Sequence, residues 1–138
     1  MRKAGSIGIL LLSGCVASSE PKVRPLRPLE IATAPYQEVE SAAVEGSLMY
    51  EGGCLLFHDE NTRALLMPVW PFGSSFNGTA LLFHKPGKSD QWVAINQEVL
   101  MSGQSQLWTA YGTATYARFQ RQCGNYAPFF VSSVRPAD

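Results

Sequence analysis

The side chains that could do chemistry are few in this chain, and they are scattered. Only His58 and His84 could act as imidazole bases or ligands, and each sits beside a turn. His58 is followed by Asp59, Glu60 and Asn61, whose hard oxygens could join it in a metal or acid-base site. Those residues lack the glycine and distal glutamate of an EF-hand loop, so a polar hairpin turn accounts for them better. Two histidines without a further clustered ligand read as surface residues. The sequence holds no Gly-x-Ser-x-Gly elbow, no glycine-rich phosphate loop, no His-Glu-x-x-His and no Cys-x-x-Cys. The reading is therefore no catalytic residue, no metal and no cofactor.

Two further sets of residues carry structural or binding chemistry. Trp70-Pro71-Phe72-Gly73-Ser74-Ser75-Phe76 places three aromatics in one short segment, with Pro restricting the backbone and Gly permitting a sharp bend. Trp70, Phe72 and Phe76 form a candidate binding loop if they are exposed, able to stack on a sugar or anchor a protein. The expected alternative is that Trp70 and at least one Phe plug the end of a small barrel. Asn77-Gly78-Thr79 has the form of a glycosylation acceptor but reads as a turn.

The N-terminus supplies an address. Arg2 and Lys3 precede an apolar stretch from Ala4 to Leu12 and the small residues Ser13 and Gly14, the order of an export signal. The apolar run is about half the roughly 20 residues needed to span a bilayer as a helix. Leu12-Ser13-Gly14-Cys15 resembles the lipobox of bacterial lipoproteins, which implies cleavage before Cys15 and acylation of that cysteine. Val16 in the next position, by resemblance to enterobacterial lipoproteins, implies sorting to the outer membrane. The expected location is a domain facing the periplasm on a lipid anchor.

Cysteine counting fits that address. Three cysteines are an odd number for an exported chain, and acylation of Cys15 leaves Cys54 and Cys123 as a pair in an oxidising compartment. The alternative is two separately buried thiols. With the first fourteen residues removed, nine Lys or Arg face eleven Asp or Glu, a net charge of −2 that speaks against a nucleic-acid partner.

The elements that must position these residues are short strands. The composition, 46% hydrophobic and 16% charged, fits one folded domain. Residues 16–35 are rich in Ser, Pro and charge, with Pro21, Pro25, Pro28 and Pro35 excluding a long helix, so residues 15–35 read as a lipid-anchored flexible tether after a signal peptide at 1–14. From residue 36 to 138 the pattern is β. Val44, Gly46, Leu48 and Tyr50 alternate with Glu45, Ser47, Met49 and Glu51, and Gly52-Gly53 turns the chain into a second strand, Cys54 to His58.

Ala64 to Trp70, Thr79 to His84, Trp92 to Asn96, Val99 to Met101 and Pro128 to Val134 read as further strands, with Pro68 marking an edge or bulge in the first of these. Gln106 to Gln122 is open between helix and strand: Leu107, Ala110, Tyr111, Ala114 and Ala117 have helical spacing, but Gly112 and neighbouring Thr and Tyr residues oppose it. The sum is a mainly β fold, a small OB-like β-barrel or sandwich.

Within that domain, Val44-Glu45-Gly46-Ser47-Leu48, Gly53-Cys54-Leu55-Leu56-Phe57, Pro68-Val69-Trp70-Pro71-Phe72-Gly73 and Cys123-Gly124 resemble small uncharacterised bacterial exported proteins that share a Gly-Cys-Leu strand, a Trp-Pro-x-Gly turn and a distal cysteine. The resemblance supports the disulfide and the barrel and implies no catalytic residue. The function expected is a non-enzymatic envelope lipoprotein that binds a protein or glycan or supports an assembly. A hydrolase and an enzyme inhibitor with a protruding loop are the rival classes.

Overall fold

A computed structural model describes residues 24–108 and 113–137. The expected export signal, Cys15 and the first part of the expected tether lie outside the described residues. Among the described residues, nine strands and one helix follow in order: β1 Thr33–Ala34, β2 Ala42–Glu51, β3 Cys54–Asp59, β4 Leu65–Pro71, β5 Ser75–Phe76, β6 Ala80–Phe83, β7 Gln91–Ala94, β8 Val99–Ser105, α1 Thr113–Cys123 and β9 Ala127–Pro136.

Five strands close a ring. β2 pairs antiparallel with β3 and with β8, β3 with β4, and β8 with β9, while a parallel contact between β4 and β9 completes the circuit. This is the small OB-like barrel that the strand pattern anticipates. The β2–β3 hairpin turns on Gly52 and Gly53, both at positive φ (60° and 81°), the geometry a two-residue hairpin loop needs and a side chain opposes. Its register sets Leu48 opposite Phe57, and both are fully buried.

β3 is buried on both faces, which explains its unbroken Cys-Leu-Leu-Phe run. Leu55 and Phe57 point into the barrel core with Leu48, Trp70, Val99, Met101 and Phe129. Cys54 and Leu56 point the other way, into a second core with Met67, Val69, Phe130 and the helix residues Tyr116 and Phe119. α1 resolves the open segment in favour of helix from Thr113 to Cys123. Its inward face is Tyr116, Phe119 and Cys123, spaced i, i+3, i+7, while Leu107, expected on the apolar stripe, is 77% exposed.

Three details depart from the sequence reading. Pro68 lies inside the sheet, at the point where β4 changes neighbours: Leu65 and Leu66 pair with β3, whereas Trp70 and Pro71 pair with β1. A residue without an N–H suits that break between partners. β5, β6 and β7 form a separate three-stranded sheet, whose inner row of Phe76, Leu81 and Val93 packs into the barrel core. Finally, residues 26–34, assigned by their proline content to the flexible tether, are folded onto the domain. Ala32 and Ala34 are buried in the core under α1, and Trp70 donates its backbone N–H to the Ala32 carbonyl.

Candidate functional site

The residues with chemical potential occupy separate places. His58 is half-buried in β3, opposite Ser47 on one side and Leu65 on the other. His84 lies beyond the end of β6 in the small sheet, with Nδ1 2.9 Å from Asp90 Oδ1 in an exposed pair. The two imidazoles thus belong to different sheets.

Asp59, the buried carboxylate, is occupied by its own turn. One of its oxygens accepts the Asn61 backbone N–H at 2.9 Å and that of Thr62 at 3.4 Å, an Asx turn that shapes the β3–β4 connection. Asn77 does the same in the β5–β6 turn, accepting the N–H groups of Thr79 and Ala80 at 2.9 Å each.

One acidic cluster has no local signature in the sequence. Glu45 of β2, Glu60 of the β3–β4 turn and Glu98 ahead of β8 bring one carboxylate oxygen each within 4.8 Å of one another. The Glu98 carboxyl is raised above its usual range, first by the hydrogen bond it shares with Glu60, then by desolvation and by the negative charges of Glu60 and Glu45. Three carboxylates at that separation could hold a hard cation geometrically. They lie on the surface, where acidic groups also meet without one.

The candidate binding loop divides. Trp70 is 1% exposed and Phe76 6%, both in the barrel core, with the Trp70 ring edge-on to Phe83 and Phe76 against Tyr50. Phe72 is 58% exposed, in the turn between β4 and β5. Only one of the three aromatics therefore faces solvent. The indole that joins it outside is Trp92 of β7, also 58% exposed. Its position in the alternation of Trp92, Val93 and Ala94 was the available signal.

Cys54 and Cys123 form a disulfide, with Cα atoms 5.8 Å apart, that joins the start of β3 to the end of α1. Other links hold the chain's entry segment to the same helix. Arg118 makes a bidentate pair with Glu30, at 3.0 and 2.6 Å, the Tyr116 hydroxyl donates to the Thr33 carbonyl, and the Leu26 N–H donates to the Gln122 side chain. Burial works to raise the Glu30 carboxyl, but the hydrogen bonds and charges of Arg118 and Arg27 outweigh it and hold the group below its usual range. The barrel interior is close-packed. A small, partly open cleft beside Trp70 and Tyr36 is about 10 Å³, room for a single water.

In comparisons with known proteins, the chain matches no family, no curated protein and no solved structure.

Proposed function

We propose that the protein is an outer-membrane lipoprotein, acylated at Cys15, whose barrel acts on the periplasmic side as a non-enzymatic module that binds an envelope protein or glycan or supports an assembly. The observation that carries the non-enzymatic part is the use made of each reactive side chain. Asp59 is spent on a turn, His58 is set in the β3 ladder between Ser47 and Leu65, and His84 pairs with Asp90 on a different sheet. A general base needs its partner within hydrogen-bond reach of a common reacting atom, and these groups do not converge on one. The barrel interior is filled by side chains, so recognition falls to the outer surface, where Phe72 and Trp92 are the exposed aromatics among the described residues.

The Cys54–Cys123 disulfide supports an oxidising compartment, since such bonds persist outside the reducing cytosol. Mass spectrometry of the membrane-extracted chain tests the address. The expected product begins at Cys15 and carries acyl groups, and Cys15→Ser leaves an uncleaved or mislocalised precursor. An unmodified mature N-terminus at any residue after Cys15 would refute the proposal. Affinity capture from detergent-solubilised envelopes then identifies the partner.

A further inference from the structure

The two lysines among the described residues, Lys85 and Lys88, stand at the first and last positions of one turn. Pro86 and Gly87 occupy its middle, Gly87 at φ 79°, and the Lys88 N–H donates to the Lys85 carbonyl at 3.0 Å. That is the β-turn that calls for glycine at its third position, and it holds the two lysine Cα atoms within about 7 Å of each other. The turn joins β6 to β7, so the end of the small sheet fixes where both cations stand.

Both lysines border one cleft of about 210 Å³, where this end of the small sheet meets β9. Buried Phe83 and Val134 supply its apolar lining, and Ser89, Gln91 and Ser133 its polar groups. Gln91 is oriented by its own amide, which donates to the Val134 carbonyl at 2.9 Å and ties β7 to β9 across the seam. No carboxylate is among the lining residues.

Charge selects what fits there. The ion pairs among the described residues join His84 to Asp90 and Arg118 to Glu30, which leaves Lys85 and Lys88 without a carboxylate partner. Asp90, close by in sequence, is engaged by His84 Nδ1, and the Lys85 ammonium is placed over the Tyr36 ring at 5.9 Å. Two like charges on one turn thus face a cleft with nothing negative in its lining. The cleft of similar size beside β8, about 220 Å³, differs in holding Glu45 together with Arg135.

The donor set narrows the choice further. A lysine is a point charge and a serine hydroxyl rotates, whereas a planar carboxylate is matched best by the arginine fork, which this cleft lacks. Point charges and rotating hydroxyls suit the several acceptor oxygens of a tetrahedral phosphate. The volume equals that of about seven waters and lies below the roughly 300 Å³ of drug-sized pockets, room for a phosphate carrying a group the size of one sugar or glycerol.

We propose that the cleft between the β6–β7 turn and β9 binds a phosphate ester, with the phosphoryl group on Lys85 and Lys88 and the carbon part toward Phe83 and Val134. This goes beyond the binding-module reading by naming a ligand chemistry, and it holds or fails whatever the state of Cys15. Isothermal titration calorimetry of the full chain in a non-ionic detergent tests it, with glucose 1-phosphate standing for a phosphorylated glycan, glycerol 3-phosphate for a lipid headgroup, and glucose and glycerol as uncharged controls. The expected result is saturable binding of at least one ester, displaced by inorganic phosphate, weakened by added salt and weakened at least tenfold in Lys85→Gln/Lys88→Gln. The ester bound more tightly identifies the source. A thermal melt checks that this surface-turn variant is folded. Amide shifts of the labelled wild-type chain on adding each ester give an independent reading, expected at Lys88, Ser89, Gln91 and Ser133. Absence of saturable binding, equal binding of the uncharged controls, or shifts centred away from the cleft would each overturn the proposal. So would an equal loss in Arg63→Gln/Arg121→Gln, which removes two exposed cations from the β3–β4 connection and α1.

Discussion

Trp70→Ala is the substitution that most directly separates a structural from a binding role for the aromatic segment. The indole is 1% exposed, lies edge-on to Phe83 with ring centroids 6.1 Å apart, and belongs to the core that joins the barrel to the small sheet. Replacing it with alanine removes nearly the whole buried side chain and leaves a cavity, which costs on the order of 3 to 5 kcal/mol. Against a total stability of about 5 to 15 kcal/mol for a domain, that lowers the melting temperature by well over 10 °C at this size.

Trp70→Phe supplies the internal control. Phenylalanine keeps an aromatic ring in the same place and leaves a much smaller cavity than alanine, so it is expected to cost much less. Thermal melts of the three proteins, followed by near-ultraviolet circular dichroism, decide the matter. An unchanged melting temperature in Trp70→Ala would refute the structural reading and return Trp70 to the candidate binding loop.

Reduction of Cys54–Cys123 opens a loop of 70 residues and is expected to cost at most about 4 kcal/mol on a chain-entropy basis, read as a lower melting temperature in reductant. Two thiols that label freely in the oxidised, folded protein would contradict the pairing. Gly46→Ala would drive a methyl group into the His58 backbone carbonyl on the neighbouring strand, and the expected loss is about 1 to 3 kcal/mol or more in urea unfolding, with no loss arguing against the β2–β3 register. Glu98→Gln is expected to raise the melting temperature at neutral pH. The folded-state carboxyl is raised by Glu60 and Glu45, so the native form of Glu98 is most stable when protonated and loses stability as pH rises through that raised value. The gain should vanish below the ordinary carboxylate range, and a pH-independent gain would exclude charge repulsion as its cause.

The parts of the fold legible in the sequence were those fixed by local pattern. The β2–β3 hairpin carried strict alternation and a Gly-Gly turn, and it folds with that turn at positive φ. What escaped depended on partners far along the chain. β1 and β5 are two residues each, too short for any periodicity, and exist because β4 and β6 offer them edges. Prolines 21 to 35 argued for a tether, but Ile31, Ala32 and Ala34 bury against the cores beyond them, and burial outweighed composition. Helix α1 was ambiguous because its β-favouring residues cluster before Tyr116, whereas Ala117, Arg118, Gln120, Arg121 and Gln122 suit a helix. The Glu45, Glu60 and Glu98 cluster draws from three segments and has no local trace, while exposed Trp92 sits in a four-residue strand whose pattern is less conspicuous than that of the Trp70 segment.

The position of α1 relates the proposed anchor to the barrel. The entry segment is fastened to this helix at Leu26, Glu30 and Thr33, and the helix is fastened covalently to β3 through Cys123. A chain held at Cys15 would pull first on Leu26, where one hydrogen bond to Gln122 and the packing of its side chain against the second core resist. The load then meets the Glu30–Arg118 pair, whose two parallel hydrogen bonds must part together. Behind that pair lie the β1–β4 pairing and the buried Ala32 and Ala34, and the disulfide prevents the helix from following the tether away. The order runs from weak, exposed bonds to buried and covalent ones. Fraying would therefore stop before reaching Trp70, whose backbone N–H is tied to Ala32 and whose ring fills the core. With anchoring at Cys15 as proposed, this arrangement would stop a pull on the entry segment before it reached the packed interior of the barrel.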